Sequence, residues 1–146
     1  MGFIIDSGTV ITMGPRGIIR DGAIVIEGDH VVDVGKGGEL LGKYSGYERM
    51  DAQGKVVIPG LVNTHQHAAM SLLRGYADDL PLQAWLEKWI WPLEKHLTGR
   101  DIYVGALLTA VESILGGTTT VNTMYHYTEG GNEAQAFAEA GLRGII

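Results

Sequence analysis

The first part of the chain alternates short apolar, β-branched runs with turn residues, which predicts a small β module over residues 1–58. The clearest signal lies in residues 22–35, where two such runs flank the dipeptide Gly28-Asp29. A Gly-Asp pair between two strands is typical of a type II′ hairpin turn. Residues 36–47 are rich in glycine and predict a loop or an irregular helix.

The pattern changes at Pro59, after which strand-like and helix-like segments alternate through residues 59–146. This alternation is typical of β/α units that build a parallel sheet. Pro92 lies inside one helical pattern and predicts a kink or an end there. The predicted elements are strands at 56–67, 118–125 and from 142 onward, and helices at 80–96, 101–115 and 133–140.

Several residues are of the types that begin and end helices. Thr98 stands three residues before Asp101, which is a variant of the capping box, and the Gly116-Gly117 pair should end that helix. The remaining expected caps are Asp78 and Asp79 before Pro81, Asn132 with Gln135 at the start of the third helix, and Gly141 at its end.

Composition narrows the class of protein. The chain has 146 residues, 45% of them apolar and 19% charged, which favours a folded globular protein over a disordered one. A net charge of −6 argues against nucleic acid or an anionic membrane as a partner. No apolar run approaches the roughly 18 residues of a membrane span, and the first residues do not resemble a signal peptide. A cytoplasmic protein is therefore expected.

The absence of cysteine removes several kinds of chemistry. Disulfide scaffolds, thiolate zinc sites and cysteine nucleophiles are excluded, and so are the zinc deaminases that hold their metal with a cysteine pair. The strongest remaining signal is His65 and His67, because residues two apart on a strand project from the same face. Two neutral imidazoles there would form half of a divalent metal site, although two histidines at a strand end also occur without a metal.

The surroundings of these histidines resemble a known family. Residues 51–67 read DAQGKVVIPGLVNTHQH, and further motifs follow in order: AMSLLRG at 69–75, DDL at 78–80, WL at 85–86, PLE at 92–94 and GGTT at 116–119. Over essentially its whole length the chain is similar to the amidohydrolase superfamily. The nearest subgroup is the 5-methylthioadenosine/S-adenosylhomocysteine deaminases, with the chlorohydrolase-like triazine hydrolases as close relatives.

The resemblance implies an α/β fold, namely the N-terminal part of a metal-dependent (β/α)8 barrel preceded by half of a small composite β-sandwich. It implies one divalent metal, zinc in most members and iron or manganese in others, at the mouth of the barrel. His65 and His67 match the two metal ligands of the first barrel strand. A third histidine, an aspartate and a proton-shuttling glutamate come from later strands in this family, so no catalytic residue is assigned within residues 1–146.

The resemblance also implies substrate contacts. Glu94 matches a glutamate that accepts hydrogen bonds from ribose hydroxyls, and its alternative is a surface carboxylate beside Lys95. Trp85 would stack on the substrate or simply pack in the core. His126 would end the second barrel strand and contact the substrate, or be an ordinary polar residue there.

Two functions of different classes follow. The first is a hydrolytic deaminase in which metal-activated hydroxide attacks an adenosine-type nucleoside, with a triazine or another cyclic amidine as the alternative substrate. The second is a non-catalytic fragment that folds by association, as a homo-oligomer or through the edge of an incomplete barrel. The second rests on length, because a (β/α)8 barrel needs about 250 residues and the 146 residues here would be inactive alone.

Overall fold

The computed structural model describes residues 2–126 and 131–146. The chain divides into two compact units, Met1–Pro59 and Gly60–Ile146. No helix in the described part of the chain combines the length and the apolar character that crossing a membrane requires.

The first unit is built on one five-stranded sheet and one helix. Its elements are β1 (Gly2–Ile11), β2 (Ile18–Glu27), β3 (His30–Lys36), α1 (Gly37–Lys43), β4 (Glu48–Asp51) and β5 (Val56–Val57). The strand order is β3-β2-β1-β4, and β5 also pairs with β1. Strands β1, β2 and β3 are antiparallel neighbours, whereas β4 and β5 run parallel to β1.

The expected hairpin is confirmed, since Glu27 pairs with His30 across Gly28-Asp29 and Gly28 has a φ of 60°. That positive φ is the conformation a type II′ turn requires at its first central residue. The glycine-rich stretch after the hairpin contains a regular helix, α1. Its Leu40 is buried with Ile4, Ala23 and Val25, and this apolar cluster holds α1 in the unit.

The second unit contains a three-stranded parallel sheet of β6 (Leu61–Gln66), β7 (Thr118–Thr123) and β8 (Arg143–Ile145), in that order. Helix α4 (Gly99–Leu115) connects β6 to β7, and α5 (Asn132–Ala140) lies between β7 and β8. This is the β/α alternation that the sequence predicts.

Residues 82–94 form one helical segment with a wide turn in its middle. It comprises α2 (Leu82–Trp85), a π-helical turn (Leu86–Ile90) and α3 (Trp91–Glu94). The irregularity lies just before Pro92, which has no N–H and whose ring would clash with the carbonyl four residues earlier in a regular α-helix. The predicted end of the helix at Pro92 is wrong: the segment becomes π-helical before Pro92 and continues to Glu94.

Helix ends agree with the sequence in part. Thr98 and Asp101 form the expected reciprocal capping box at the start of α4. The expected Asp78-Asp79 cap is wrong, because Pro81 itself occupies the N-cap position of α2 and no side chain caps that helix. The expected Asn132 cap is also wrong: Gly131 is the N-cap and Asn132 is the first helical residue. Gly141 ends α5 with a φ of 75°, as predicted.

The core of the second unit joins helices α4 and α5 to the sheet and to the segment after His67. Residues 68–73 form a 3-10 helix (Ala68–Leu73), an element that the sequence pattern does not predict. Small residues line the contact, so helix and backbone approach closely. The buried cluster consists of Ala68, Ala106, Ala110, Val121, Ala136, Phe137 and Leu142.

Candidate metal centre

His65 and His67 lie at the carboxyl end of β6, with His65 in the strand and His67 one residue beyond it. Their ring centroids are 4.9 Å apart and the rings are nearly perpendicular. Thus the structure brings the two predicted ligands together. His65 is exposed and His67 is half-buried, so both imidazoles remain accessible.

The Nδ1 atom of His67 lies 2.6 Å from the carbonyl oxygen of Met124. A carbonyl oxygen only accepts hydrogen bonds, so Nδ1 carries the proton and donates it. The neutral ring then has its lone pair on Nε2, which is the form that ligates a metal. The Met124 carbonyl, just after the end of β7, therefore selects the metal-binding tautomer of His67.

The backbone that follows His67 is anchored from three sides. The Ala68 N–H donates to the Thr123 hydroxyl at 3.2 Å, and the Thr109 hydroxyl donates to the Ala68 carbonyl at 2.7 Å. The Ala69 N–H donates to Oε1 of Glu133 at 3.2 Å. These contacts join the ends of β6 and β7 to helices α4 and α5, and they fix where the histidine segment leaves the strand.

Glu133 is a polar residue of this site that sequence reasoning missed. It lies in the first turn of α5 with 0% exposure, and its Oε2 has no hydrogen-bond partner among the described residues. Burial raises the pKa of the Glu133 carboxyl, while the Ala69 N–H and the Thr123 hydroxyl act in the opposite direction. A glutamate in a first helical turn ordinarily indicates a favourable helix-dipole contact, so nothing in the sequence marks this one as buried.

Glu94 ends α3 and is 2% exposed, which is unlike the solvated surface carboxylate considered as its alternative. Its Oε1 has no hydrogen-bond partner among the described residues. A buried carboxylate oxygen without a donor is costly, and such groups ordinarily pair with a ligand, a water or an ion. The atom is thus available to accept a hydroxyl hydrogen bond from a bound molecule.

Trp85 and His67 line the same cleft of about 620 Å³, together with residues of the 3-10 helix and of α4. The indole N–H of Trp85 donates to the Tyr76 carbonyl at 3.4 Å, so its polar atom is used within the protein. An ion pair between Arg74 and Glu112 also borders the cleft. His65, Glu94 and His126 are not among the described residues that line it.

The sequence predicts that His126 ends the second strand of this unit, and this prediction is wrong. Strand β7 ends at Thr123, and His126 is an exposed residue in the turn beyond it. Its ring lies 5.8 Å from that of Tyr125.

The two histidines fit a metal through their donor chemistry, since neutral imidazole nitrogen is a preferred ligand of zinc and of neighbouring divalent metals. Within residues 2–126 and 131–146, no group of three or more His, Asp or Glu side chains is arranged to hold a metal ion. The His65–His67 pair by itself offers two ligand nitrogens, which is fewer than the four ligands of a tetrahedral zinc site.

Comparison with known sequences identifies the chain. A sequence model of the amidohydrolase family matches residues 56–145, which include β6, both histidines and β7. The chain belongs to the amidohydrolase family. The superfamily resemblance drawn from the motifs around His65 and His67 is confirmed.

Curated relatives of this amidohydrolase chain are named as deaminases. It is 48% identical over 144 residues to the 5'-deoxyadenosine deaminase of Methanosarcina mazei, covering 98% of this chain and 32% of the relative. It is 44% identical over 144 residues to the 5-methylthioadenosine/S-adenosylhomocysteine deaminase of Pelotomaculum thermopropionicum, covering 98% of this chain and 33% of the relative.

Among solved structures, an adenosine deaminase from Xanthomonas campestris with bound zinc is 31% identical and has a TM-score of 0.81. The match covers 99% of this chain and 33% of that one. The chain thus spans about a third of the length of the relatives it matches.

Proposed function

We propose that this chain is the metal-binding N-terminal part of a hydrolytic deaminase that acts on an adenosine-type nucleoside. The observation that carries the proposal is the His65–His67 pair at the end of β6, with His67 held in its metal-binding tautomer by Met124. The relatives named as 5-methylthioadenosine/S-adenosylhomocysteine and 5'-deoxyadenosine deaminases support the substrate class.

His65 and His67 would hold one divalent cation, and zinc is favoured because the Xanthomonas structure contains it. When bound, such a cation lowers the pKa of a water toward neutrality and so makes a nucleophile available at an electron-poor ring carbon. The role of this chain would be to present one imidazole lone pair each from His65 and His67 in a fixed direction. Met124 orients the second ring, and the anchored backbone after His67 limits its movement.

Glu94 would bind the sugar of the nucleoside. A buried carboxylate with an unpartnered oxygen can accept hydrogen bonds from ribose hydroxyls, and a charged acceptor makes such bonds stronger. Trp85 would form one wall of the cleft beside His67, and its indole face suits a flat purine ring. A contact from His126 remains part of the proposal, from its exposed position after β7.

The wider architecture is also part of the proposal. Residues 59–146 would form the first two β/α units and the third strand of a (β/α)8 barrel, and residues 1–58 would contribute to a composite β-sandwich. The parallel sheet and the structural likeness to the Xanthomonas deaminase support this interpretation of the two segments. The enzyme would act in the cytoplasm on a small-molecule substrate, without nucleic acid or membrane partners.

One observation favours the association hypothesis as a second candidate. Within the described sheet, β6 and β8 each have an unpaired edge, and Leu61, Val62 and Ile145 are exposed there. Open parallel edges with apolar side chains favour pairing with further strands. Such pairing would be made by the rest of a barrel or by another copy of the chain.

A chimera tests the enzymatic proposal. Residues 1–146 would replace the matching third of the Methanosarcina mazei 5'-deoxyadenosine deaminase, and ammonia release would be measured with three nucleosides and with an amino-substituted triazine. We expect release from 5-methylthioadenosine, S-adenosylhomocysteine and 5'-deoxyadenosine, and none from the 146-residue chain alone. A folded, zinc-loaded chimera that acts only on the triazine would contradict the nucleoside assignment, and turnover by the purified chain alone would contradict its assignment as a part.

A further inference from the structure

The buried carboxyl group of Glu133 lies behind the histidine pair and takes no part in the chemistry described so far. Its Oε1 accepts the Ala69 N–H at 3.2 Å. Burying an ionisable group costs free energy unless its contacts compensate. The role of Glu133 is therefore expected to lie in its hydrogen bond with the Ala69 N–H.

The contacts connect Glu133 to the His67 ring along the backbone. The Ala69 N–H donates to Oε1 of Glu133, and the preceding Ala68 N–H donates to the Thr123 hydroxyl at the end of β7. The residue after Thr123, Met124, accepts the hydrogen bond from Nδ1 of His67. Only two peptide bonds separate Ala69 from His67, so a shift at Glu133 moves the backbone that carries the His67 ring.

We infer that Glu133 is a positioning residue of the metal centre: its Oε1 fixes the backbone after His67 to the first turn of α5 and so keeps the His67 ring against the Met124 carbonyl, in the Nδ1–H tautomer. The inference rests on the proposed metal site, but its geometry requires no bound metal. The length of the Glu133 side chain and its acceptor oxygen Oε1 matter most, because Oε1 accepts the Ala69 N–H and Oε2 has no partner among the described residues.

Two conservative substitutions separate reach from charge. Glu133→Gln keeps the length and an oxygen that can accept the Ala69 N–H, but it removes the charge. Glu133→Asp keeps the charge but is one methylene shorter, which moves the acceptor away from Ala69. If Glu133 positions the site, the Gln variant should behave like the parent chain and the Asp variant should not.

The experiment uses the 146-residue chain labelled with ¹⁵N. Histidine ring shifts report the tautomer of His67, amide exchange reports the Ala69 N–H, and a zinc titration reports affinity. In the parent and Glu133→Gln chains we expect the Nδ1–H tautomer and a protected Ala69 amide. In Glu133→Asp we expect mixed tautomers, Ala69 exchange about tenfold faster, and a zinc dissociation constant raised by roughly tenfold or more.

Glu139 supplies the matched control, because it lies on the same helix and bonds to Tyr103 and Gln135 away from the histidines. Glu139→Asp should change neither the His67 tautomer nor zinc affinity. The inference is overturned if Glu133→Asp leaves both the tautomer and Ala69 exchange unchanged, or if Glu133→Gln is as defective as Glu133→Asp. A parent chain that binds no zinc would count against the proposed metal site, whereas the tautomer and exchange results would still decide the role of Glu133.

Discussion

Gly105 of α4 lies directly against the backbone of Ala69, two residues after His67. A Cβ atom on residue 105 would lie 3.0 Å from the Cα of Ala69, closer than side-chain carbons normally approach. The Ser71 hydroxyl also donates to the Gly105 carbonyl at 2.8 Å. Helix α4 thus sets the position of the segment that follows His67.

Gly105→Ala should therefore destabilise the protein, although alanine is the better helix former. Overpacking a close contact of this kind costs about 1–3 kcal/mol in the free energy of unfolding, which outweighs the roughly 1 kcal/mol that alanine gains in a helix. Urea denaturation measures the change. Gly42→Ala in α1 is the control, because a Cβ at Gly42 meets nothing within 4 Å; equal effects of the two substitutions would contradict the close-contact argument.

His65→Ala and His67→Ala should each abolish tight metal binding. In the chimera, loss of one imidazole should weaken zinc affinity by more than about 100-fold, the upper end of what removal of an outer-shell partner costs. Chelator competition measures the affinity. His96→Ala changes an exposed histidine outside β6 and should retain the parent affinity; an equal loss in all three variants would show that the pair is not the site.

Glu94→Gln should weaken nucleoside binding through the sugar alone. Hydrogen bonds to a charged group contribute about 1.5–3 kcal/mol each, so KM for adenosine-type nucleosides should rise at least about tenfold. The same substitution should have little effect on 2',3'-dideoxyadenosine, which lacks both hydroxyls. Steady-state kinetics of the chimera measures both, with Glu87→Gln on an exposed helical position as control. An equal KM effect on the two nucleosides would exclude a ribose contact.

Thr98→Ala should destabilise α4 and alter its response to acid. Loss of the N-cap costs about 1 kcal/mol. The side-chain hydrogen bond from Thr98, followed by its backbone N–H, lowers the pKa of Asp101 below its ordinary 3.8. A lowered folded-state pKa adds stability that is present above the unfolded value and is lost as pH falls through the folded value.

In Thr98→Ala the Asp101 pKa should move back toward 3.8, so the acid-side loss of stability should shrink. Unfolding free energies of the parent and variant between about pH 2 and about pH 5 measure this difference. Ser113→Ala, at the other end of the same helix, should leave the acid response unchanged. If the two variants show the same pH dependence, the capping box does not control the Asp101 pKa.

Local signals in the sequence predict the fold where the interaction spans a few residues. The Gly28-Asp29 turn, the Thr98–Asp101 capping box and the Gly141 helix end all depend on contacts within one turn, and all three are present. The Asp78-Asp79 cap fails because Pro81 itself takes the N-cap position of α2. The confirmed features and the failed cap are all decided by the backbone conformation of the few residues around the turn or helix end.

Only the His65–His67 pair of the candidate site is predictable from the sequence, because it follows from the two-residue alternation of side chains along a strand. Alternation along β6 brings His65 and His67 together, as expected from their spacing. The roles of Met124 and Glu133 depend on contacts between residues 57 and 64 positions apart in sequence, and no local pattern encodes these. The burial of Glu94 likewise results from tertiary packing of the irregular helical segment.

The most direct test of the account is a zinc titration of the ¹⁵N-labelled 146-residue chain, followed through its histidine ring nitrogens. We predict that the Nε2 signals of His65 and His67 shift together, and that those of His30 and His96 do not. Shifts of His30 or His96 at the same zinc concentration, or no shift of the His65–His67 pair, would contradict the claim that the end of β6 forms the first half of an amidohydrolase metal centre.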